Sequence, residues 1–159
     1  MRYAVRIVGD PDRAADVVQE TFLHLCRARR SSVDNHLAAW LFRVCRNRAL
    51  DMRRKDKRVQ PLELVTENTL QSPEPGPDVV TARRRDATQV AAILQTLPES
   101  QQEAVYLRFQ GGLSYKEISQ VTGHSVANVG NLLHAAVTKI RAQLAAENLP
   151  VSAIAGGTR

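Results

Sequence analysis

Apolar residues recur at helical spacing in two parts of the chain, with a polar, proline-rich stretch between them. In the first part, GDPDRAADVVQETFLHLCRARR begins with a turn at 9–11, after which apolar side chains return every three or four residues. The same spacing predicts a second long helix from about His36. The predicted inner sides comprise Val17, Val18, Phe22, Leu25 and Cys26 in one helix, and Leu37, Trp40, Leu41, Val44 and Met52 in the other.

Residues 59–80 interrupt this pattern. The stretch VQPLELVTENTLQSPEPGPDVV holds four prolines and one glycine, a composition that does not sustain a helix. It predicts a flexible, extended linker. Serine, aspartate and asparagine in SSVDN, residues 31–35, predict a loop between the first two long helices.

The second helical part begins near Thr81. Pro98 is typical of a helix start, and the glycines at 111–112 are typical of its end. Ser114 and Glu117 have the spacing of a capping box, which predicts a new helix that begins just before Tyr115.

Gly123 is predicted to end this short helix, and Ser125 to cap the next one. Two helices joined by a tight glycine-containing turn predict a helix-turn-helix. The core face of its second helix is predicted as Val126, Val129, Leu133, Val137, Ile140 and Leu144, and the outward face as Ala127, Asn128, Gly130, Asn131, His134 and Thr138.

Composition favours an all-α protein with aliphatic cores, since 43% of the residues are hydrophobic and only 4% are aromatic. The charge is unevenly placed. Residues 1–58 hold 14 Lys/Arg against 7 Asp/Glu, residues 59–88 hold 3 against 5, and residues 89–159 hold 5 against 4. The basic character therefore belongs to the first third, and it indicates a nucleic-acid-binding surface there.

Several classes of function find no support in the sequence. Cys26 and Cys45 match no disulfide framework or metal pattern, and both are expected to be buried in a reducing compartment. The sequence has neither an apolar run of the ~18 residues that span a bilayer nor a signal peptide, so a cytoplasmic protein is expected. No nucleophile–base pair, metal cluster or phosphate loop is present, and neither catalysis nor a cofactor is expected.

Three stretches carry a resemblance to a known family: AADVVQETFLHLCR, AWLFRVCRNRALDMRRK and LPESQQEAVYLRFQGGLSYKEISQVTGHSVANVGNLLHAA. They resemble bacterial sigma factors of the extracytoplasmic-function (ECF) group, small sigma-70 relatives that keep only regions 2 and 4. The resemblance implies two small helical domains joined by a flexible linker: region 2 over 1–58, the linker over 59–80, region 4 with its helix-turn-helix over 81–146, and a tail over 147–159.

The resemblance also implies a function. Such a protein binds core RNA polymerase through its β′ and β subunits, directs it to promoter DNA and initiates transcription. An anti-sigma factor is an implied further partner, and membrane insertion is not implied. Family members usually carry a longer helix before RYAVRIVGD, so either the first helix is short here or the chain extends upstream.

Polymerase-binding residues are expected on the first long helix. Asp16, Gln19, Glu20 and Leu23 fall at i, i+3, i+4 and i+7, on one side of it. The matching surface in the family docks on a coiled coil of the β′ subunit.

The second long helix is expected to bind the promoter −10 element as single-stranded DNA, which its arginines suit by pairing with phosphate and stacking on bases. The loop at 31–35 matches the place where the family holds a flipped base, and Trp40 is predicted to be core. The expected DNA-binding residues are Arg43, Arg46, Asn47, Arg53, Arg54 and Lys57.

The predicted reading helix of region 4, HSVANVGNLLHAAV, holds no lysine or arginine. The family pattern G-T-V-K-S-R-L-H-R-A carries basic residues where this chain, over ANVGNLLHAA, has Gly130, Leu132 and Ala135. Weak intrinsic affinity for the −35 element is therefore expected, with the affinity supplied by the first domain and by tethering to polymerase. The expected contacts are Ser125, Asn128, Asn131, His134 and Lys139.

Alternatives stay open at this point. The helix with Gly130 could meet another protein backbone rather than DNA. The chain could also be a stand-alone helix-turn-helix regulator, or a degenerate sigma-like module that sequesters polymerase or an anti-sigma factor.

Overall fold

A computed structural model of the chain describes residues 1–29, 33, 36–59 and 90–146, with the backbone alone for 57–59. Every regular element in these ranges is helical. The chain divides into two compact units, residues 1–75 and 76–159. The predicted all-α, two-domain architecture is confirmed, whereas the linker, most of the 31–35 loop and the tail lie outside the described residues. Within the described part, no helix is both long and apolar enough to cross a bilayer.

The first unit consists of three helices: α1 (Arg2–Val8), α2 (Pro11–Arg27) and α3 (Leu37–Val59). The predicted turn at 9–11 is confirmed. Gly9 closes α1 with a left-handed φ of 77°, and the Asp10 side chain accepts a hydrogen bond from the Arg13 backbone N–H at 2.8 Å. Pro11 begins α2, where its missing N–H costs nothing.

Small side chains form much of the core of this unit. All three helices pack against one another, and an edge-to-face contact joins the rings of Tyr3 and Phe42, whose centroids lie 5.1 Å apart. The Thr21 hydroxyl is buried and donates to the Val17 carbonyl at 2.7 Å. The buried residues are Tyr3, Ala4, Ala14, Val17, Thr21, Ala39, Cys45 and Ala49.

Several residues that were predicted to lie on the inner sides of α2 and α3 are not part of this core. Phe22, Cys26 and Leu37 are exposed, and Trp40 is half-buried rather than core. The reason is that alanine and threonine occupy the closest helix contacts, so the buried faces follow small residues that carry little weight in an apolar pattern. The expectation of two buried cysteines is therefore correct for Cys45 and wrong for Cys26.

The second unit begins, in its described part, with helical residues 90–95, followed by α4 (Glu99–Val105), a π-helical turn (Tyr106–Gln110), α5 (Tyr115–Thr122) and α6 (Val126–Ala146). Pro98 precedes α4 as its N-cap residue. The helix end predicted at the two glycines is confirmed, although the last turn widens: the Gly111 N–H donates to the Tyr106 carbonyl, five residues back.

The caps of the helix-turn-helix are those predicted. Ser114 and Glu117 form a reciprocal capping box at the start of α5. Gly123 ends α5 with a left-handed φ of 80°, a conformation that favours glycine. The Ser125 hydroxyl then accepts from the Asn128 backbone N–H at 3.2 Å.

The core face of α6 agrees with the prediction at Val129, Leu133, Ile140 and Leu144. Val126, in contrast, is exposed, Val137 is only half-buried, and Ala136 is fully buried. Of the three positions where the family pattern has a basic residue, Ala135 is exposed, and Gly130 and Leu132 are half-buried. Burial therefore does not explain why a basic residue is missing at 135, whereas Ala136 next to it packs inside the unit and has no room for a charged side chain.

Candidate protein-docking and nucleic-acid interfaces

One side of α2 forms an exposed face with both polar and apolar members. The four predicted side chains, Asp16, Gln19, Glu20 and Leu23, are all exposed. The structure adds two residues that the sequence pattern assigned to the core, Phe22 and Cys26. Gln19, Phe22, Leu23 and Cys26 follow each other at i, i+3, i+4 and i+7. We call these six residues the docking face.

The docking face contains two large apolar side chains that are exposed and adjacent in sequence. Phe22 is 54% exposed and Leu23 is 48% exposed. Neighbouring exposed apolar side chains on one helix are typical of a protein-binding site, where a partner removes them from water. The signal available in the sequence was Thr21 and Ala14, which mark the true buried side of α2 through their small size.

Two arginines connect α2 to α3, and one of them, Arg48, contacts a member of the docking face. Arg48 of α3 lies with its Nε 3.6 Å from Glu20 Oε2, and its Nη2 contacts His24 Nε2. Two turns earlier on α2, Arg13 pairs with Asp56 near the end of α3. Both ion pairs are open to solvent, so each contributes little to the free energy of folding.

The predicted basic stripe of α3 divides into two groups. Arg46 and Arg53 are half-buried, and each has an interaction partner. Arg43 and Arg54 are exposed, as is Asn47. The cause is the position of the core face, since Arg46 lies three residues before buried Ala49 and seven after buried Ala39.

Half-buried Trp40 shares a side of α3 with the exposed group. Trp40, Arg43, Asn47 and Arg54 fall at i, i+3, i+7 and i+14, and we call them the α3 outer face. An aromatic ring, an amide and two guanidinium groups are the components that single-stranded nucleic acid requires: a stacking surface and charges along its backbone. The Lys57 side chain lies outside the description, and Arg54 Nη1 is 3.4 Å from Asp51 Oδ1.

The polar face of α6 contains no cation over its first three turns. Asn128, Asn131 and His134 are exposed, as predicted from their spacing, and so is the capping residue Ser125. Gly130, which was also predicted to face outward, is half-buried. Lys139 lies beyond them, and its ammonium group donates to the Thr96 carbonyl at 3.0 Å, at the end of the helical residues 90–95. That contact draws Lys139 toward the body of the unit and away from the start of α6.

Cations nevertheless flank α6 from neighbouring segments. A Cβ at Gly130 would lie 3.8 Å from Cε2 of Tyr115, so the tyrosine ring lies directly beside the helix. The Arg108 guanidinium lies 5.6 Å from the centroid of this ring, and its Nη1 donates to the Leu113 carbonyl at 3.0 Å. Lys116, next to Tyr115 on α5, is exposed. We call Arg108, Tyr115 and Lys116 the flanking cluster.

The described residues give little basis for metal binding or for a reactive cysteine. Among them, no group of histidine, cysteine, aspartate or glutamate could hold a metal ion. Burial raises the pKa of the Cys45 thiol above its ordinary value, while the chain's amino terminus and a hydrogen bond with Thr21 lower it by less. Cys45 is therefore a core residue rather than an activated thiolate.

Comparison with known proteins yields two family models that match the chain: Sigma-70 region 2 over residues 1–59, and Sigma-70, region 4 over residues 87–140. The chain is 31% identical to the ECF RNA polymerase sigma factor EcfG of Rhodopseudomonas palustris, covering 89% of this chain and 77% of that protein. It is 33% identical to the ECF RNA polymerase sigma factor SigL of Mycobacterium tuberculosis, covering 90% and 81%.

Two further matches are a longer relative and a solved structure. The chain is 31% identical to the ECF RNA polymerase sigma factor SigE of Mycolicibacterium smegmatis, and it spans 56% of the length of that relative. Among solved structures, the sigma factor RpoE of Bartonella quintana, in complex with the anti-sigma factor NepR, has a similar fold. The TM-score is 0.61 with 22% identity, covering 90% of this chain and 88% of that one.

Proposed function

The chain belongs to the ECF group of the sigma-70 family, whose members direct RNA polymerase to promoters, and we propose that its two units divide this task by chemistry. The first unit docks on core polymerase and captures opened DNA, and the second unit places a weakly binding helix-turn-helix on the duplex. The observation that carries this proposal is the separation, within the first unit, of an apolar and acidic face on α2 from a basic face on α3.

The docking face binds core polymerase, on its β′ subunit. Its exposed Phe22 and Leu23 provide apolar area, and Asp16, Gln19 and Glu20 provide acceptors for donors on the partner. A polyanion would be repelled by the two carboxylates, so a protein surface suits this face better than DNA does.

The α3 outer face captures the non-template strand at the −10 element. Arg43 and Arg54 pair with phosphates, Asn47 meets a base edge, and Trp40 offers an apolar surface for an unstacked base. Arg46 and Arg53 support this face from the edge of the core. Lys57 continues the stripe toward the end of α3.

The start of α6 meets the −35 element through Ser125, Asn128, Asn131 and His134. These neutral side chains hydrogen-bond to base edges, and the flanking cluster supplies phosphate contacts through Arg108 and Lys116. Lys139 adds a backbone contact if it leaves the Thr96 carbonyl. Because polymerase tethers both units at one promoter, a weak second contact suffices.

Further features of the proposal follow from the family and its relatives. We propose that the chain acts in the cytoplasm, on polymerase, and has no catalytic activity of its own. The Bartonella quintana relative is bound to an anti-sigma factor, and an anti-sigma factor is accordingly proposed as a partner of this chain.

The experiment that tests the function is transcription in vitro. The purified full chain is mixed with bacterial core RNA polymerase and a promoter-library DNA, and the run-off transcripts are sequenced. Discrete start sites with shared upstream motifs, absent without the chain, are expected. If polymerase binds the chain but no specific starts appear, the chain is a sequestering module, a second candidate that the uncharged α6 favours. Absence of polymerase binding would refute both the sigma-factor function and a module that sequesters polymerase.

A further inference from the structure

We propose that Arg48 is a positioning residue, which holds Glu20 in the orientation in which the docking face meets core polymerase. This inference rests on the docking role proposed above. It extends the docking apparatus to a residue on α3, outside the α2 pattern from which the face was predicted.

The guanidinium of Arg48 contacts two α2 side chains that lie one helical turn apart. Its Nε lies 3.6 Å from Glu20 Oε2, and its Nη2 contacts His24 Nε2. A planar guanidinium directs its N–H groups along several fixed directions, so it can hold a carboxylate and an imidazole nitrogen at once. A lysine at this position would retain the charge but would concentrate its donors on a single atom.

The pair joins α2 to α3 and is at the same time accessible to solvent. The Glu20 side chain is 53% exposed and the Arg48 side chain is 40% exposed. At this exposure an ion pair adds little to the stability of the fold, so its removal should leave the fold intact. A long glutamate side chain that is already oriented loses less conformational freedom when a partner binds, and this favours docking.

The same unit supplies a matched control. Arg13 also forms an exposed ion pair between α2 and α3, with Asp56 as its partner. Arg13 lies seven residues before Glu20, about 10 Å along α2, and it is not part of the docking face. Loss of Arg13 removes the same charge and the same kind of α2–α3 contact without affecting the orientation of Glu20.

The test is the equilibrium Kd of the full chain for core polymerase, with thermal unfolding of each variant as a check on folding. The variants are Glu20→Gln, Arg48→Gln, Arg48→Lys, Arg13→Gln and the double variant Glu20→Gln/Arg48→Gln. We expect Arg48→Gln to raise the Kd about threefold, within the range of exposed charge pairs. Arg48→Lys should raise it by a similar factor, and Arg13→Gln should leave it unchanged.

The double variant carries the decisive readout. If Arg48 acts through Glu20, adding Arg48→Gln to Glu20→Gln should cause no further loss. Additive effects, wild-type binding by Arg48→Lys, or tighter binding by Arg48→Gln would each overturn the inference. If Glu20→Gln weakens binding while Arg48→Gln does not, only the inference fails. If Glu20→Gln has no effect, the proposed contact of Glu20 with polymerase fails as well.

Discussion

The two long helices α3 and α6 present polar faces of opposite kinds. The α3 outer face carries its own cations, Arg43 and Arg54, whereas α6 has no lysine or arginine over its first three turns. Yet α6 has the complete local geometry of a reading helix, including the Ser125 cap, and cations stand beside it on neighbouring segments. Shape and charge in a nucleic-acid-binding motif can thus come from different elements, because Coulomb attraction requires a nearby charge but no particular helix.

The largest effect is expected when an arginine, which α3 carries on its outer face, is placed on the buried side of α6. Ala136→Arg would place a charge at a fully buried position, at a cost of several kcal/mol in the free energy of unfolding. We expect the second unit to lose cooperative thermal unfolding, followed by circular dichroism. The control is Asn131→Arg at an exposed position of the same helix, which should fold normally and tighten promoter binding. Wild-type melting of Ala136→Arg would contradict the packing described for α6.

The next effect concerns the docking face, which has no counterpart on α6. Leu23→Asp should raise the Kd for core polymerase about 30-fold, the usual size for a central apolar contact. Leu37→Asp is the matched control, because Leu37 is also 48% exposed but lies on α3, outside the docking face. The measurement is a binding titration with core polymerase. Equal losses in the two variants would show that exposed leucines in general, and not this face, matter.

A smaller effect is expected when cationic side chains are removed from each unit in turn. Arg43→Gln/Arg54→Gln should flatten the salt dependence of holoenzyme binding to a premelted −10 template by about 1.4 in log–log slope, since each single-strand phosphate contact contributes ~0.7. Arg108→Gln/Lys116→Gln should act only on templates that contain a duplex −35 element. If the second pair leaves that slope unchanged, the flanking cluster does not supply the charge that α6 lacks.

The smallest effect is expected from replacing the glycine inside α6, which tests whether that position requires a residue without a side chain. A Cβ at Gly130 would make an ordinary contact of 3.8 Å with Tyr115, so Gly130→Ala should stabilise the second unit by up to about 1 kcal/mol and raise its Tm by a few degrees. Gly123→Ala is the opposite control, since its φ of 80° strains any residue with a side chain. A drop in stability for Gly130→Ala would mean that the helix requires a bare backbone at this position.

The helix ends were largely predictable from the sequence, because caps are local. Ser114 and Glu117 meet within one turn of the chain, and so do Asp10 and the backbone N–H of Arg13. Such contacts need no other part of the fold. The π-helical turn at Tyr106–Gln110 was not predictable in this way, since no residue type there distinguishes it from an ordinary helix end.

The candidate interfaces were predictable in outline and uncertain at their edges. The exposed side of α2 was correctly placed, but Phe22 and Cys26 were assigned to the core because they are apolar. Conversely, Arg46 and Arg53 were assigned to the same surface as Arg43, although they border the core. An amphipathic pattern reflects only the polarity of each residue and contains no information on how closely a neighbouring helix approaches.

The sequence by itself determined the helical class, the helix ends, the concentration of basic charge in the first third and the family. Each of these depends on the residues alone or on their near neighbours along the chain. Only the tertiary structure decided which side of α3 faces outward, that Ala136 is inside, and that Arg48 reaches Glu20 and His24 on another helix. These outcomes depend on how helices pack, and close packing selects the smallest side chains for the contact rather than the most apolar ones.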